Sequence, residues 1–188
     1  MRKFLITFVL VLSMSSMAPG ASFDENVEAF NEWVVGPENW KDWEEGVITD
    51  EVYCLAEAIY FEAGNQPVAG KIAVADVIIN RKSAEEYPDT ICEVVHQGPV
   101  RESWKKDGTY YPIRHKCQFS YYCDGRSDIP KFGPTWEDCL MVAEWALQDE
   151  WFIDHVEGAT HYHASYVHPN WADHMQRVVQ IQDHVFYK

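Results

Sequence analysis

The chain has 188 residues, enough for one well-buried domain and too few for two ordinary ones. Hydrophobic residues make up 47% and charged residues 24%, which excludes a disordered chain and a multi-span membrane protein. Lys and Arg number 15 against 30 Asp and Glu, a formal net charge of -15, so no nucleic-acid partner is expected of a body that repels phosphate backbones. Aromatic residues reach 14%, a content that suits stacking on sugar rings and equally suits a heavy aromatic core.

The first 21 residues have the composition of an export signal. Arg2 and Lys3 precede an apolar run from Phe4 to Leu12, and small residues from Ser13 to Ala21 supply a cleavage site after Gly20 or Ala21. The run is too short to span a bilayer, so the expectation is an exported protein, periplasmic or extracellular, with no stable membrane anchor after cleavage. An uncleaved interfacial anchor is the alternative. Residues 22–49 form an acidic, Trp-rich arm with Trp33, Trp40 and Trp43 and no visible chemistry.

From residue 50 to 188 the pattern becomes that of a folded domain. Asp50 is placed to cap a helix on which Val52, Leu55, Ile59 and Glu62 recur at spacings of three and four. The helix is expected to end at Ala63-Gly64-Asn65 in a left-handed cap. Pro67 opens a second helix, apolar almost all round between Ile72 and Ile79 and so expected at the centre of the core. A short third helix follows Pro88-Asp89-Thr90. Residues 97–134 read as a surface loop without regular structure. Thr135-Trp136-Glu137-Asp138 resembles a capping box for a fourth helix with Trp136, Cys139, Leu140, Ala143 and Leu147 on one face. Ala159 to Ala164 and Gln176 to Tyr187 read as strands. Helices first and strands last indicate an α+β fold.

Export makes the cysteines candidates for disulfides. Spacing and surroundings favour 54–92 and 117–123 among the three connectivities that four cysteines allow, with Cys139 a buried thiol on the fourth helix. No C-x-x-C pair points to zinc.

Glu62 is the candidate catalyst. A carboxyl on the apolar face of a helix loses hydration, which favours its neutral form and suits a general acid near neutral pH. A carboxylate hydrogen-bonded to a neighbouring helix is the competing reading. Glu57, about 140° round the helix, is expected to be solvated. His161 and His163 share one face of a strand, a possible zinc pair that lacks a third ligand at a diagnostic spacing, or two hydrogen-bonding groups in a cleft. Gln118, Ser120 and Asp124 lie on the loop that Cys117 and Cys123 bracket, a possible sugar-binding wall; alternatively Asp124-Gly125 only shapes a turn.

Several blocks together resemble the SleB-type cell wall hydrolases, the spore cortex-lytic enzyme family. They are Tyr60-Phe61-Glu62-Ala63-Gly64-Asn65-Gln66-Pro67, Gly70 to Ala75, Asn80-Arg81, Gln118-Phe119-Ser120, Asp124-Gly125, Ala159 to Ala164 with Trp171, and His184 to Tyr187. Where the family usually has Glu-Ala-Arg-Gly-Glu-Pro, this chain keeps the first acid as Glu62 and lacks the Arg and the second acid. The resemblance implies a lysozyme-like domain with a small antiparallel sheet near the C-terminus. It implies cleavage of the N-acetylmuramic acid to N-acetylglucosamine β-1,4 bond of peptidoglycan by Glu62, as a lytic transglycosylase or, failing that, a hydrolase. It adds Phe119, Tyr162 and Trp171 to Gln118, Ser120, Asp124, His161 and His163 as substrate-binding residues. No cofactor or metal is expected, and peptidoglycan strands are the partner. Asp76 and Asp124 remain candidates for a second acid. A glycan-binding protein without activity, and a zinc amidase using His161 and His163, are the competing classes.

Overall fold

The computed structural model describes residues 48–148 and 154–188; the expected export signal and nearly all of the acidic arm lie outside them. Helix α1 spans Asp50–Ala63 and α2 spans Val68–Ser83. Thr49, one residue before the expected cap, accepts from the Val52 amide through its side chain, while Asp50 and Glu51 occupy the first turn, where negative charge favours the helix dipole. The left-handed cap is not found: Gly64 has φ −60° and continues the right-handed path. Thr90 caps α3 (Ile91–Val95), exchanging hydrogen bonds with the amide and carboxylate of Glu93.

Helix α4 runs from Pro134 to Ala146. The expected capping box is not used, because the helix begins one residue before Thr135 on Pro134, with Gly133 as its cap and no side-chain hydrogen bond. Thr135 therefore lies inside the helix, and the Gly133 carbonyl accepts from the Trp136 and Glu137 amides at 2.9 and 3.1 Å. The stretch 97–134 also departs from expectation. It contains an antiparallel hairpin, β1 (Val100–Glu102) paired with β2 (Tyr110–Pro112), and a single 3₁₀ turn, Ser120–Cys123.

The C-terminal strands are β3 (His161–Ala164), β4 (Arg177–Ile181) and β5 (His184–Tyr187), in the antiparallel order β3-β5-β4. The Gln176–Tyr187 stretch is thus two strands, separated by a turn in which Gln182 takes φ 50°. The fold is α+β, helices before sheet.

Helix α2 lies between the two layers. Ile72, Val74, Ala75 and Ile78 pack in a core with α1, α3 and α4, while Ala73 and Val77 join Val156, Ala159, Ile181 and Phe186 on the sheet side. A helix apolar on every side is what this double burial demands. Two of its buried polar groups are paired: Lys71 with Asp138 of α4 at 3.1 Å, and Asp76, which accepts from the backbone and ring of His155, both at 2.9 Å.

Both expected disulfides are present. Cys54–Cys92 ties α1 to α3 with Cα atoms 5.2 Å apart, and Cys117–Cys123 closes the short loop after the hairpin. Cys139 is a buried free thiol, and burial pushes it up to about 11, so it is inert at neutral pH. Because 54–92 closes the longer loop, replacing that pair by Ser should lower unfolding free energy by about 4 kcal/mol in the chain-entropy account, against about 2 kcal/mol for 117–123. Urea unfolding of the two double variants checks the order.

Candidate active site

Glu62 occupies the last turn of α1 and is half-buried. The Tyr162 hydroxyl, from the middle of β3, donates to Glu62 Oε2 at 2.9 Å. Burial raises the carboxyl above the ordinary glutamate range; the Tyr162 bond and the Arg81 guanidinium pull against it, and burial prevails. A carboxyl in that balance holds its proton to higher pH than an exposed one and remains able to give it up.

Arg81 closes the other side. It lies in the last turn of α2, is 5% exposed, and donates from Nε to the Thr160 carbonyl at 2.7 Å, which anchors the chain just before β3. Its guanidinium lies over the rings of Tyr87 and Phe119, at 5.4 and 5.2 Å from their centroids. Its buried Nη1 has no hydrogen-bond partner among the described residues. A donor left unsatisfied beside a carboxyl is costly in a finished core and useful where a ligand oxygen is expected.

Glu57 overturns the expectation of a solvated side chain. It is 7% exposed, accepts from the Tyr121 hydroxyl at 3.4 Å, and faces His96 Nε2 at 3.5 Å. The physical reason is that the loop braced by Cys117–Cys123 folds over this face of α1. Tyr121 stacks on Phe61 at 4.8 Å between centroids, and Tyr122 stacks on His96 at 4.3 Å. Tyr121 is driven well above the usual tyrosine range by burial and then by the charges of Glu57 and Glu62, so its hydroxyl stays protonated between two carboxyls of one helix. Burial, and after it the charges of Glu57 and Asp124, also raises Asp128.

Of the other sequence candidates, Tyr162 alone touches Glu62. His161 and His163 point to the opposite face of the sheet, where both rings pack against Trp171 at 5.6 Å. His163 uses both ring nitrogens, on the Ala164 carbonyl at 2.9 Å and the Tyr187 hydroxyl at 3.0 Å. That face carries a groove lined by His163, Tyr166, His168, Met175, Arg177 and Tyr187. Among the described residues no group of three His, Cys, Asp or Glu is arranged to hold a metal ion. Gln118 and Ser120 are exposed on the braced loop, whereas Phe119 is buried in the core beneath Arg81. Asp124 accepts from the Arg126 amide at 2.7 Å, the turn-shaping geometry. Asp76, fully buried against His155 and raised to about 6 by that burial, faces the core and is not exposed to a substrate.

Arg81, Tyr121, Glu57 and His96 were not singled out as site residues in the sequence. Arg81 stood in a family-like block; the other three meet only through tertiary contacts some forty to sixty-four residues apart and leave no local pattern.

Two outcomes test this geometry independently of any reaction. A carboxyl whose native pKa lies above its unfolded value stabilises the fold least when ionised, so Glu62→Gln should be more stable than wild type at pH 8. That advantage should fade to nothing below about pH 4, where both states carry a protonated acid. Glu57→Ala should lower unfolding free energy by about 1–3 kcal/mol, because it strands the Tyr121 hydroxyl without its buried acceptor. Denaturant curves across that pH range read both.

Comparison with known proteins bears on the family and the fold. Residues 65–187 match the family described as Cell Wall Hydrolase. A spore cortex-lytic enzyme of Halalkalibacterium halodurans is 33% identical over 66 residues, 35% of this chain and 20% of that protein. The spore cortex-lytic enzyme of Bacillus subtilis is 32% identical over 66 residues, 35% of this chain and 21% of that protein. The match thus spans about a fifth of these relatives' length. In fold, the chain is similar to the catalytic domain of a germination-specific lytic transglycosylase, SleB, from Bacillus anthracis, with a TM-score of 0.52, 21% identity, and coverage of 77% of this chain and 98% of that one. With the family match extending from residue 65 to 187, which takes in every described element after α1, the chain belongs to the cell wall hydrolases.

Proposed function

We propose that this protein is exported and cleaves the glycan strands of peptidoglycan at the N-acetylmuramic acid to N-acetylglucosamine β-1,4 bond, with Glu62 as general acid and then base. The observation that carries the reading is the Glu62 carboxyl: half-buried, shifted toward its protonated form, and held through one oxygen by Tyr162. Among the described residues no partner occupies Oε1, which leaves that oxygen for the glycosidic oxygen of a bound strand.

The chemistry follows from one acid. Protonated Glu62 gives its proton to the leaving glycosidic oxygen as the C1–O bond breaks. The resulting carboxylate is stabilised by the Tyr162 hydroxyl and by Arg81, whose charge is buried nearby. It then takes the proton of the muramoyl C6 hydroxyl as that oxygen bonds to C1, closing a 1,6-anhydro ring and restoring the acid. A hydrolase would need a water or a nucleophile directed by a second carboxylate. Glu57 is engaged with Tyr121 and His96, Asp76 with His155, and Asp124 with its own turn, which favours the lytic transglycosylase.

Digestion of purified sacculi followed by mass spectrometry of the products tests the reading. Anhydro-muramoyl ends are expected; reducing ends would assign a hydrolase, and free peptides with intact glycan would assign an amidase. Glu62→Gln should lose at least 10²–10⁴-fold in rate, the usual contribution of general acid–base catalysis. Retention of about a tenth of the wild-type rate, a loss of only ~1.4 kcal/mol of transition-state stabilisation, would remove Glu62 from the mechanism.

A further inference from the structure

The hairpin is exposed on both of its faces: every residue of β1 and both tyrosines of β2 lie open to solvent. A two-stranded sheet alone is marginal in water, yet this one is firmly rooted. Ile113 donates to the Pro99 carbonyl at 2.8 Å, Gln118 to Gln97 at 2.9 Å, and His115 to Cys123 at 3.0 Å, so its base is continuous with the braced loop that carries Tyr121 to Glu57 and Phe61. Its tip is shaped by backbone conformation, with Lys106 at φ 50° and Gly108 at φ 79°, and by Asp107, which accepts from the Thr109 amide at 3.1 Å.

The hairpin gathers exposed aromatic rings and positive charge in one place. Trp104 is 87% exposed, with Lys105 Nζ 5.8 Å from its ring centroid, and Tyr110 is 60% exposed. Residues 100–116 carry five Lys and Arg against two acids, in a chain whose net charge is -15. Flat aromatic faces beside unpaired cations suit a ligand with both apolar ring faces and carboxylates. A glycan strand bearing peptide stems has both. An anionic bilayer has the charge, but β1–β2 register sets Glu102 directly opposite Tyr110, and a carboxylate beside the inserting ring is costly in hydrocarbon. It is acceptable beside sugar hydroxyls.

We propose that the hairpin is a second binding element for peptidoglycan, Trp104 and Tyr110 stacking on sugar rings while Arg101, Lys105 and Lys106 pair with the carboxylates of peptide stems. This deepens the proposed function by selecting strands that still carry their stems, and it gives a strongly acidic protein its point of attachment to an anionic polymer.

The test uses the full chain in the Glu62→Gln background, with and without Trp104→Ala, Lys105→Ala and Lys106→Ala together. Bound fraction is measured by co-sedimentation with purified sacculi, with the same glycan stripped of its stems by an amidase, and with vesicles of phosphatidylglycerol and phosphatidylcholine in equal parts. The triple variant should bind sacculi about tenfold more weakly or worse, the loss expected when a stacking platform and two cations go together, and its binding should fall less steeply with salt. On stripped glycan the loss should be smaller, because only the stacking of Trp104 remains to be removed; a loss as large there as on sacculi would overturn the pairing of the cations with stems. Sacculus binding within about twofold of the parent, a difference under ~0.5 kcal/mol, would overturn the proposal, as would a hairpin-dependent loss confined to vesicles, which would make the hairpin a membrane anchor. Equal thermal midpoints establish that the triple variant is folded; if they differ, Trp104→Ala alone replaces it under the same criteria. Soluble muropeptides released in the Glu62→Gln background would count against Glu62 as catalyst and leave the hairpin readout intact.

Discussion

Everything at the site depends on α2 being buried on two sides at once. Its residues divide between two cores, one shared with the other helices and one with the sheet, so neither layer can shift without opening the other. The last turn of the helix carries Arg81, which grips the Thr160 carbonyl just ahead of β3. That bond sets the strand's position relative to the helical layer, and Tyr162, two residues on, reaches Glu62 as a result. The catalytic candidate comes from α1 and its hydrogen-bond partner from a strand 100 residues later. The intervening helix is the ruler between them.

The electrostatics of α1 follow from the same packing. Two carboxyls five residues apart on one helix are each withdrawn from water, on different faces and by different neighbours. Glu57 is met by a hydroxyl and an imidazole that the disulfide-braced loop lays over it. Glu62 is met by a hydroxyl from the sheet, and the guanidinium of Arg81 on α2 acts on it through its charge. Tyr121 sits within the field of both and keeps its proton, so it can donate a hydrogen bond but cannot add a third negative charge. Burial raises the acid and the positive neighbour limits the rise; the pair of opposing effects, more than either alone, gives a proton donor that can also accept.

How much of this could be read in the residues depended on how far each signal reached along the chain. The helices carried their own period, and the three- and four-residue spacing of Val52, Leu55, Ile59 and Glu62 placed Glu62 on the packed side of α1. The hairpin had no such period to show, because it buries neither face and its residues are under no pressure to alternate. Glu57 misled because helical geometry separates its direction from that of Glu62 but says nothing of a loop arriving from residues 117–123 to cover it. On β3, alternation correctly grouped His161 with His163 and set Tyr162 apart. It could not say which face met α1, since that is decided by Arg81 and by Phe186 and Ile181 packing on α2.

The departure from the family wording after Glu62 has a structural counterpart. Where the family-like pattern would put a second acid at position 66, Gln66 donates from Nε2 to Asp183 Oδ2 at 3.1 Å, joining the α1–α2 connection to the β4–β5 turn. A glutamate there would set carboxylate against carboxylate at hydrogen-bond distance, and one of the two would have to move or hold a proton. Gln66 and Asp183 are therefore a matched pair: the amide satisfies the acid, and the acid is acceptable because position 66 carries no charge. In a chain arranged this way the connection serves to hold the sheet's far turn against the helices, and Glu62, with Tyr162 and Arg81 around it, is left as the carboxyl to which the proposed proton transfer is assigned.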